Sequence, residues 1–332
     1  GSGGLATPTL LDTNFDGVYD LAYAGDYAGN MFRFDLRGTP DTWSAVKIFS
    51  GKGGQPITTA PTISRRINGV YVVIFGTGSE IYSEDLNSTE SQALYGIYDD
   101  TSTTGATATA DQLLTQNFTE RDGYYYLSNQ VLDPTVHKGW TINLTAGTGE
   151  RVVVQPSMLL RTALFTTRMY SVTESEQNSG GADPCVASTY SKTTSAKSRS
   201  LAINSTNGGG LTNKDARLIY DSHPTLVDGF YPSGKLFEGL LSQVLVYPES
   251  TNNKEDRANN PLTSDGQGGG SGTDQSLNKN PAPPRNTCFN NGYQPYLQTG
   301  LSGNTTTPVG SMATAGPACS NSVRRINWRE IF

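Results

Sequence analysis

Apolar residues in this chain come in short runs broken by Gly, Asp and Asn, the rhythm of β-strands separated by tight turns. Residues 5–37 read LATPTLLDTNFDGVYDLAYAGDYAGNMFRFDLR. They predict a short β segment, an acidic loop, and two strands, DLAYAG and NMFRFDL, joined by a DYAG turn. The same order returns over 57–98: ITTAPTI, a turn at Asn68-Gly69, VYVVIFGTG and ALYGIYD. The two units begin near residues 7 and 59, an offset of about 50 residues, which falls in the range of propeller blades. RVVVQPSML and ALFTTRMYS, beginning at 151 and 163, repeat the pattern and predict a third blade. The fold class expected is all-β, a modified and incomplete β-propeller with long surface insertions.

Other stretches break the rhythm. TATADQLLTQN at 106–116 reads as a short helix or an irregular excursion, followed by strand-like YYYL and GWTINL. Residues 171–215 are polar and poor in large apolar side chains, so a long surface excursion is expected there. LFEGLLSQVLVYP at 236–248 predicts another strand pair, and the closing RRINWREIF a last docked strand. Residues 249–287 hold too little apolar area to offset their ordering entropy, and a mobile loop is expected.

Composition narrows the function classes. Lys and Arg number 24 against 30 Asp and Glu, a formal charge of -6, which argues against nucleic acid as a partner. Only 16% of residues are charged, while 37 are Gly, in keeping with a turn-rich β surface. The longest apolar run, Val70 to Phe75, is too short to span a membrane. Gly1 opens no recognisable signal peptide, and the start reads as a cut end. Three cysteines, Cys185, Cys288 and Cys319, form no C-x-x-C, and with two histidines, His137 and His223, thiolate or imidazole metal sites lack ligands. Pairing Cys288 with Cys319 is the economical reading. It would close a slack loop of about 30 residues, stabilise by about 3 to 4 kcal/mol, and imply an exported protein. Cys185 is then left free or paired outside this chain.

The sharpest chemical signal is DTNFDGVYD, residues 12–20. Asp12, Asn14 and Asp16 hold positions 1, 3 and 5, Gly17 supplies a turn at 6, Val18 offers a carbonyl at 7, and Asp20 closes at 9. That spacing aims hard oxygen donors at one cation. Calcium is preferred over a solvated Asx-rich turn because crowded carboxylates repel without a cation, and over magnesium because its small octahedral shell seldom uses an all-protein loop. Position 12 is Tyr23, and the flanks read as β, so this is not a two-helix EF-hand. Weaker candidates receive structural readings. Asp26 and Asp35 cap turns, Ser83, Glu84 and Asp85 lie on the surface, and His137 and His223 make structural hydrogen bonds. FGTGSE at 75–80 lacks the Walker lysine and builds a turn. Arg324, Arg325 and Arg329 beside Trp328 form a patch too small for DNA.

Taken together, DTNFDGVYDLAYAGDYAGNMFRFDL, VYVVIFGTGSEIYSED, QALYGIYDD, HKGWTINL, GERVVVQPSMLLRTALFTTRMY, DPC and RRINWREIF resemble, in order, the C-terminal domain of the PilC/PilY family of type IV pilus-associated proteins. The resemblance covers nearly all of 1–332 apart from the low-complexity insertions. It implies a modified β-propeller at or near the pilus tip, exported to the bacterial surface or outer membrane, that opposes pilus retraction and contributes to host-cell adhesion. It also implies a calcium loop that controls extension and retraction, with Asp12, Asn14, Asp16 and Asp20 as side-chain ligands and Val18 as carbonyl ligand. Only eleven residues precede the loop here, so the first blades are expected either on an N-terminal fragment of the same protein, released by cleavage, or, for a truncated chain, to be made good by another partner. The function expected is that of a non-enzymatic, calcium-binding protein whose partners are the pilus machinery or minor pilins and a host-cell receptor. Two other classes stand beside it: a propeller-scaffold enzyme of quinoprotein type, for which no compact cofactor motif is present, and a glycan- or receptor-binding module.

Overall fold

The structure, a computed structural model, describes residues 4–66, 69–101, 107–145, 147–178, 189–221, 223–246, 293–298, 300–301 and 311–317. The first meander consists of β1 (Thr9–Leu11), β2 (Leu21–Gly25), β3 (Met31–Asp35) and β4 (Ser44–Ser50), each antiparallel to the one before. All five residues of β2 are buried, as expected of an unbroken run covered on both faces. The second meander, β5 (Thr62–Arg65), β6 (Tyr71–Gly76) and β7 (Ala93–Asp99), follows the pattern predicted for 57–98. Its central strand YVVIFG is buried throughout. The two meanders share one apolar core, in which the rings of Phe49, Phe75 and Tyr95 meet at centroid distances of 4.9 to 5.8 Å.

Between 107 and 116 the chain forms β8 (Ala108–Thr109), a 3-10 turn at Ala110–Gln112, and β9 (Leu114–Gln116). The helical feature of this segment is a single turn, because Ala108, Leu113 and Leu114 are drawn into the core on either side of it. The segment stitches two sheets: β8 pairs in parallel with β4, and β9 with a later strand of the second sheet. The hairpin β10 (Phe118–Arg121) and β11 (Tyr124–Leu127) then goes to a third sheet, while β12 (Gly139–Asn143), partner of β9, pairs with β7. The second sheet therefore reads β5-β6-β7-β12-β9.

The third sheet is built on β13 (Ser157–Leu159), β14 (Thr162–Asn178) and β15 (Thr189–Asn204). After β16 (Arg217–Leu218) in another sheet, β17 (Gly234–Glu238) returns to complete the order β10-β11-β17-β15-β14-β13. Here the structure departs from the reading of 171–215 as a surface excursion. Residues 171–178 and 189–204 lie in one long antiparallel ladder, and Ser198 to Ile203 are buried. The base of β15, LAIN, supplies apolar side chains to the core. Farther out, Ser, Thr and charged residues pair across the ladder in the manner of β-branched and polar cross-strand neighbours. Beyond Lys197, β15 loses its third strand, and residues 171–175 and 193–195 stand largely in solvent as a two-stranded ribbon.

Leu240–Leu241 (β18), Leu245–Val246 (β19), Tyr293–Leu297 (β20), Gly300–Leu301 (β21) and Ser311–Ala315 (β22) complete a four-stranded sheet, β16-β22-β20-β19, and a small pair, β18-β21. The mobile loop expected at 249–287, all three cysteines with the Cys288–Cys319 pair, and RRINWREIF lie outside the described residues. Among the described residues no helix is long and apolar enough to cross a membrane.

A second core joins sheets two and three around Trp140, Phe165, Leu201 and Ile203. The Trp140 indole N–H donates to the Ser205 carbonyl at 3.0 Å. Its ring lies directly under Gly96, where a Cβ would stand 2.2 Å from the indole, so only glycine fits. Two buried ion pairs mark the sheet interiors. Arg33 meets Asp99 at 2.5 Å, and Tyr23 donates its hydroxyl to the same carboxylate at 2.8 Å. Arg199 faces Glu150 at 3.3 Å and lies over the Tyr125 ring at 3.8 Å.

Candidate metal centre

The acidic loop connects β1 to β2, whose register, Thr9 with Tyr23 through Leu11 with Leu21, fixes both of its ends. A further bond from the Asp20 N–H to the Leu11 carbonyl, 2.9 Å, closes its neck. Inside the loop each predicted side chain organises the backbone that follows it. The Asp12 carboxylate accepts N–H groups from Asn14 (3.2 Å), Phe15 (2.6 Å) and Gly17 (2.8 Å). The Asn14 carbonyl oxygen accepts the Asp16 N–H at 2.9 Å, and the Asp16 carboxylate accepts the Val18 N–H at 2.8 Å. Phe15 and Gly17 turn the chain with φ of 63° and 90°, and the glycine meets nothing within 4 Å. Burial acts to raise the Asp12 carboxyl, but the N–H groups of Gly17, Phe15, Asn14 and Asp16 outweigh it and hold it below its ordinary 3.8.

The donor set suits a hard divalent cation in kind. Every predicted ligand is an oxygen, and carboxylate oxygens that accept one N–H keep a second lone pair. Asn14, Asp16 and Val18 are exposed, and among the described residues no ion pair neutralises Asp12, Asp16 or Asp20. Convergence is incomplete. Among the described residues no three His, Cys, Asp or Glu side chains stand together as a ligand group. Asp20 is buried and turned to Thr13, accepting that residue's N–H at 2.7 Å and its hydroxyl. The structure thus winds Asp12, Asn14, Asp16 and Val18 into one loop and keeps Asp20 on its inner wall.

The weaker candidates fall into structural roles. Asp26 accepts the Asn30 N–H at 2.7 Å and its side-chain amide at 2.9 Å, and Asp35 accepts Arg37. Asp85 caps a 3-10 turn through the N–H groups of Ile81 and Tyr82, both at 3.0 Å. His137 accepts the Asp133 N–H on Nδ1 at 3.0 Å. The arginines near the carboxyl end lie outside the described residues. One feature escaped the sequence reading: a cavity of about 820 Å³ rimmed by Arg65, Arg66, Lys138 and Arg161. Its only local signals were the pairs Arg65-Arg66 and His137-Lys138, which say nothing of their meeting in space.

Residues 1–133 match the family model described as the PilY1 beta-propeller domain. The type IV pilus biogenesis factor PilY1 of Pseudomonas aeruginosa strain UCBPP-PA14 is 38% identical across 29% of this chain and 11% of its own length. A PilY1 homolog of Xylella fastidiosa strain Temecula1 is 29% identical across 46% of this chain and 13% of its own. The chain therefore matches only a small part of these relatives. The crystal structure of the P. aeruginosa PilY1 C-terminal domain superposes with a TM-score of 0.57 at 22% identity, covering 74% of this chain and 57% of that one, a likeness of fold. The blade-like meanders thus fall on the residues that match the PilY1 beta-propeller domain model, and the fold they belong to is similar to that of the PilY1 C-terminal domain.

Proposed function

We propose that this domain is a calcium-responsive, non-enzymatic part of a type IV pilus biogenesis factor, located in the cell envelope or on the pilus, where it opposes retraction and contributes to adhesion. The names of the relatives support the pilus role. The observation that carries the calcium reading is the winding of 12–18, in which the Asp12, Asn14 and Asp16 side chains fold the backbone around themselves. Asp12, Asn14, Asp16 and the Val18 carbonyl would hold the ion, with Asp20 joining from the loop's inner wall. A bound ion supplies charge neutralisation. The chain's own residues supply the coupling, because the loop's neck is the β1–β2 ladder, and stiffening the loop stiffens an outer strand of the first sheet. That surface would meet the pilus machinery or minor pilins.

Titration calorimetry with calcium on this domain and on Asp16→Ala tests the site. The wild type is expected to bind one ion and the variant to lose at least about tenfold in affinity. Equal affinities would remove the assignment. In cells, Asp20→Ala is expected to lower surface piliation and twitching; normal values for both would separate the ion from pilus control.

A further inference from the structure

The cavity of about 820 Å³ opens where turn ends from several sheets meet, and it lies apart from the acidic loop. Arg65 ends β5, Arg66 starts the turn after it, Lys138 leads into β12, and Arg161 sits in the β13–β14 turn. Four cations from three separate places in the sequence therefore face one space, in a chain whose overall charge is -6. Among the described residues none of the four has a carboxylate partner. Two acids line the same cavity. Asp99 is already occupied by Arg33 and the Tyr23 hydroxyl, and Asp100 stands at the exposed rim.

The cations are also positioned. Arg66 lies over the Tyr98 ring at 4.6 Å, and Tyr98 is itself tied down by its hydroxyl, which donates to the Thr206 carbonyl. A guanidinium held over an aromatic ring keeps its N–H donors for other partners, and its planar fork can receive carboxylate or phosphate oxygens in pairs. Like charges gathered around a low-dielectric wall repel one another and focus a positive potential into the space between them. The volume exceeds what a lone inorganic ion fills and falls within the usual range for small organic ligands, about 300 to 1,000 Å³.

We propose that this cavity binds a small organic anion carrying two or more carboxylate or phosphate groups, held by Arg65, Arg66, Lys138 and Arg161. Charge and the Arg66 fork provide recognition, and the site works independently of the metal loop.

The test is calorimetry on the whole domain in metal-free buffer at about 50 mM salt, where exposed charges are less screened. Propane-1,2,3-tricarboxylate and fructose 1,6-bisphosphate are the two probes, with glycerol as neutral control. One molecule per chain is expected to bind, more weakly as salt rises, and Arg66→Gln/Lys138→Gln is expected to lose about tenfold or more. Thermal unfolding checks that the variant is folded. Arg161→Gln, at an exposed turn position, serves as the second variant. Binding of the tricarboxylate alone identifies a carboxylate ligand, of the bisphosphate alone a phosphorylated one, and of both a site governed by charge; each upholds the proposal. Binding of neither probe, equal binding by folded variants, or equal binding of glycerol overturns it.

Discussion

At Gly96 the missing side chain is what allows Trp140 to lie flat across β7. The two residues are register partners, and an added Cβ would fall 2.2 Å from Cε2 and 2.4 Å from Nε1 of the indole. Trp140 has no room to retreat, being fully buried and held by Ser205. Gly96→Ala is therefore expected to cost about 2 to 3 kcal/mol through overpacking, read as a lower urea midpoint. Adding Trp140→Leu should make the two changes less than additive, because the second removes the clash created by the first. At the same scale the winding of the 12–20 loop was legible from sequence, since its Asp, Asn and Gly spacing lies within nine consecutive residues and the polar side chains shape their own turns. Asp20 was harder to read. Its partner Thr13 contributes a hydroxyl that the ligand pattern does not contain, and the fold sets the two together through the neck of the loop.

Among the elements, β2 and β6 announced themselves as apolar runs between glycine turns because both of their faces are covered. The β14–β15 ladder gave no such signal over its outer half. A ribbon with solvent on both faces needs no apolar alternation, and residues 171–175 and 193–195 pair there with none of their side chains buried. β8 and β9 were illegible for another reason: each depends on a parallel partner that lies far away in sequence, and pattern reading sees only neighbours. The ribbon's independence leads to a prediction. Replacing residues 174–192 by a two-residue Asn-Gly turn should leave the melting temperature within about 2 °C of the parent, since among the described residues no third strand pairs with that part. Leu201→Ala, at the buried base of the same strand, should instead cost about 2 to 5 kcal/mol. A large loss of stability on shortening would mean that the ribbon packs against the body.

For the whole molecule, buried tyrosines set an alkaline limit. Burial pushes Tyr95 up to about 12, against weaker lowering from Thr141 and Gln55, and it pushes Tyr98 up to about 12 against Arg66. Tyr23 is raised as well, first by burial and then by Asp99. In the unfolded chain these phenols ionise near their ordinary 10.0, so above that pH the folded state holds more protons than the unfolded one. Stability is then complete below pH 10 and falls as pH rises toward 12, by about 2 to 3 kcal/mol for each such tyrosine. Urea midpoints from pH 8 to 11.5 should stay level and then drop, and Tyr95→Phe should make the drop shallower. An unchanged slope in that variant would remove Tyr95 from the account.

The parallel stitch made by 107–116 bears on the order in which the domain assembles. A chain emerging amino end first can form the β1–β4 meander early, yet its outer edge at β4 stays open until β8 arrives, after all of β5–β7 has appeared. The second sheet waits longer, because β9 must be met by β12, with the β10–β11 hairpin lying between them in the chain. Neither meander can therefore mature as a finished piece while the other is still missing. The two behave as one cooperative folding unit, with a rate set by long-range closure and a vulnerable interval in which open strand edges invite capture by other chains.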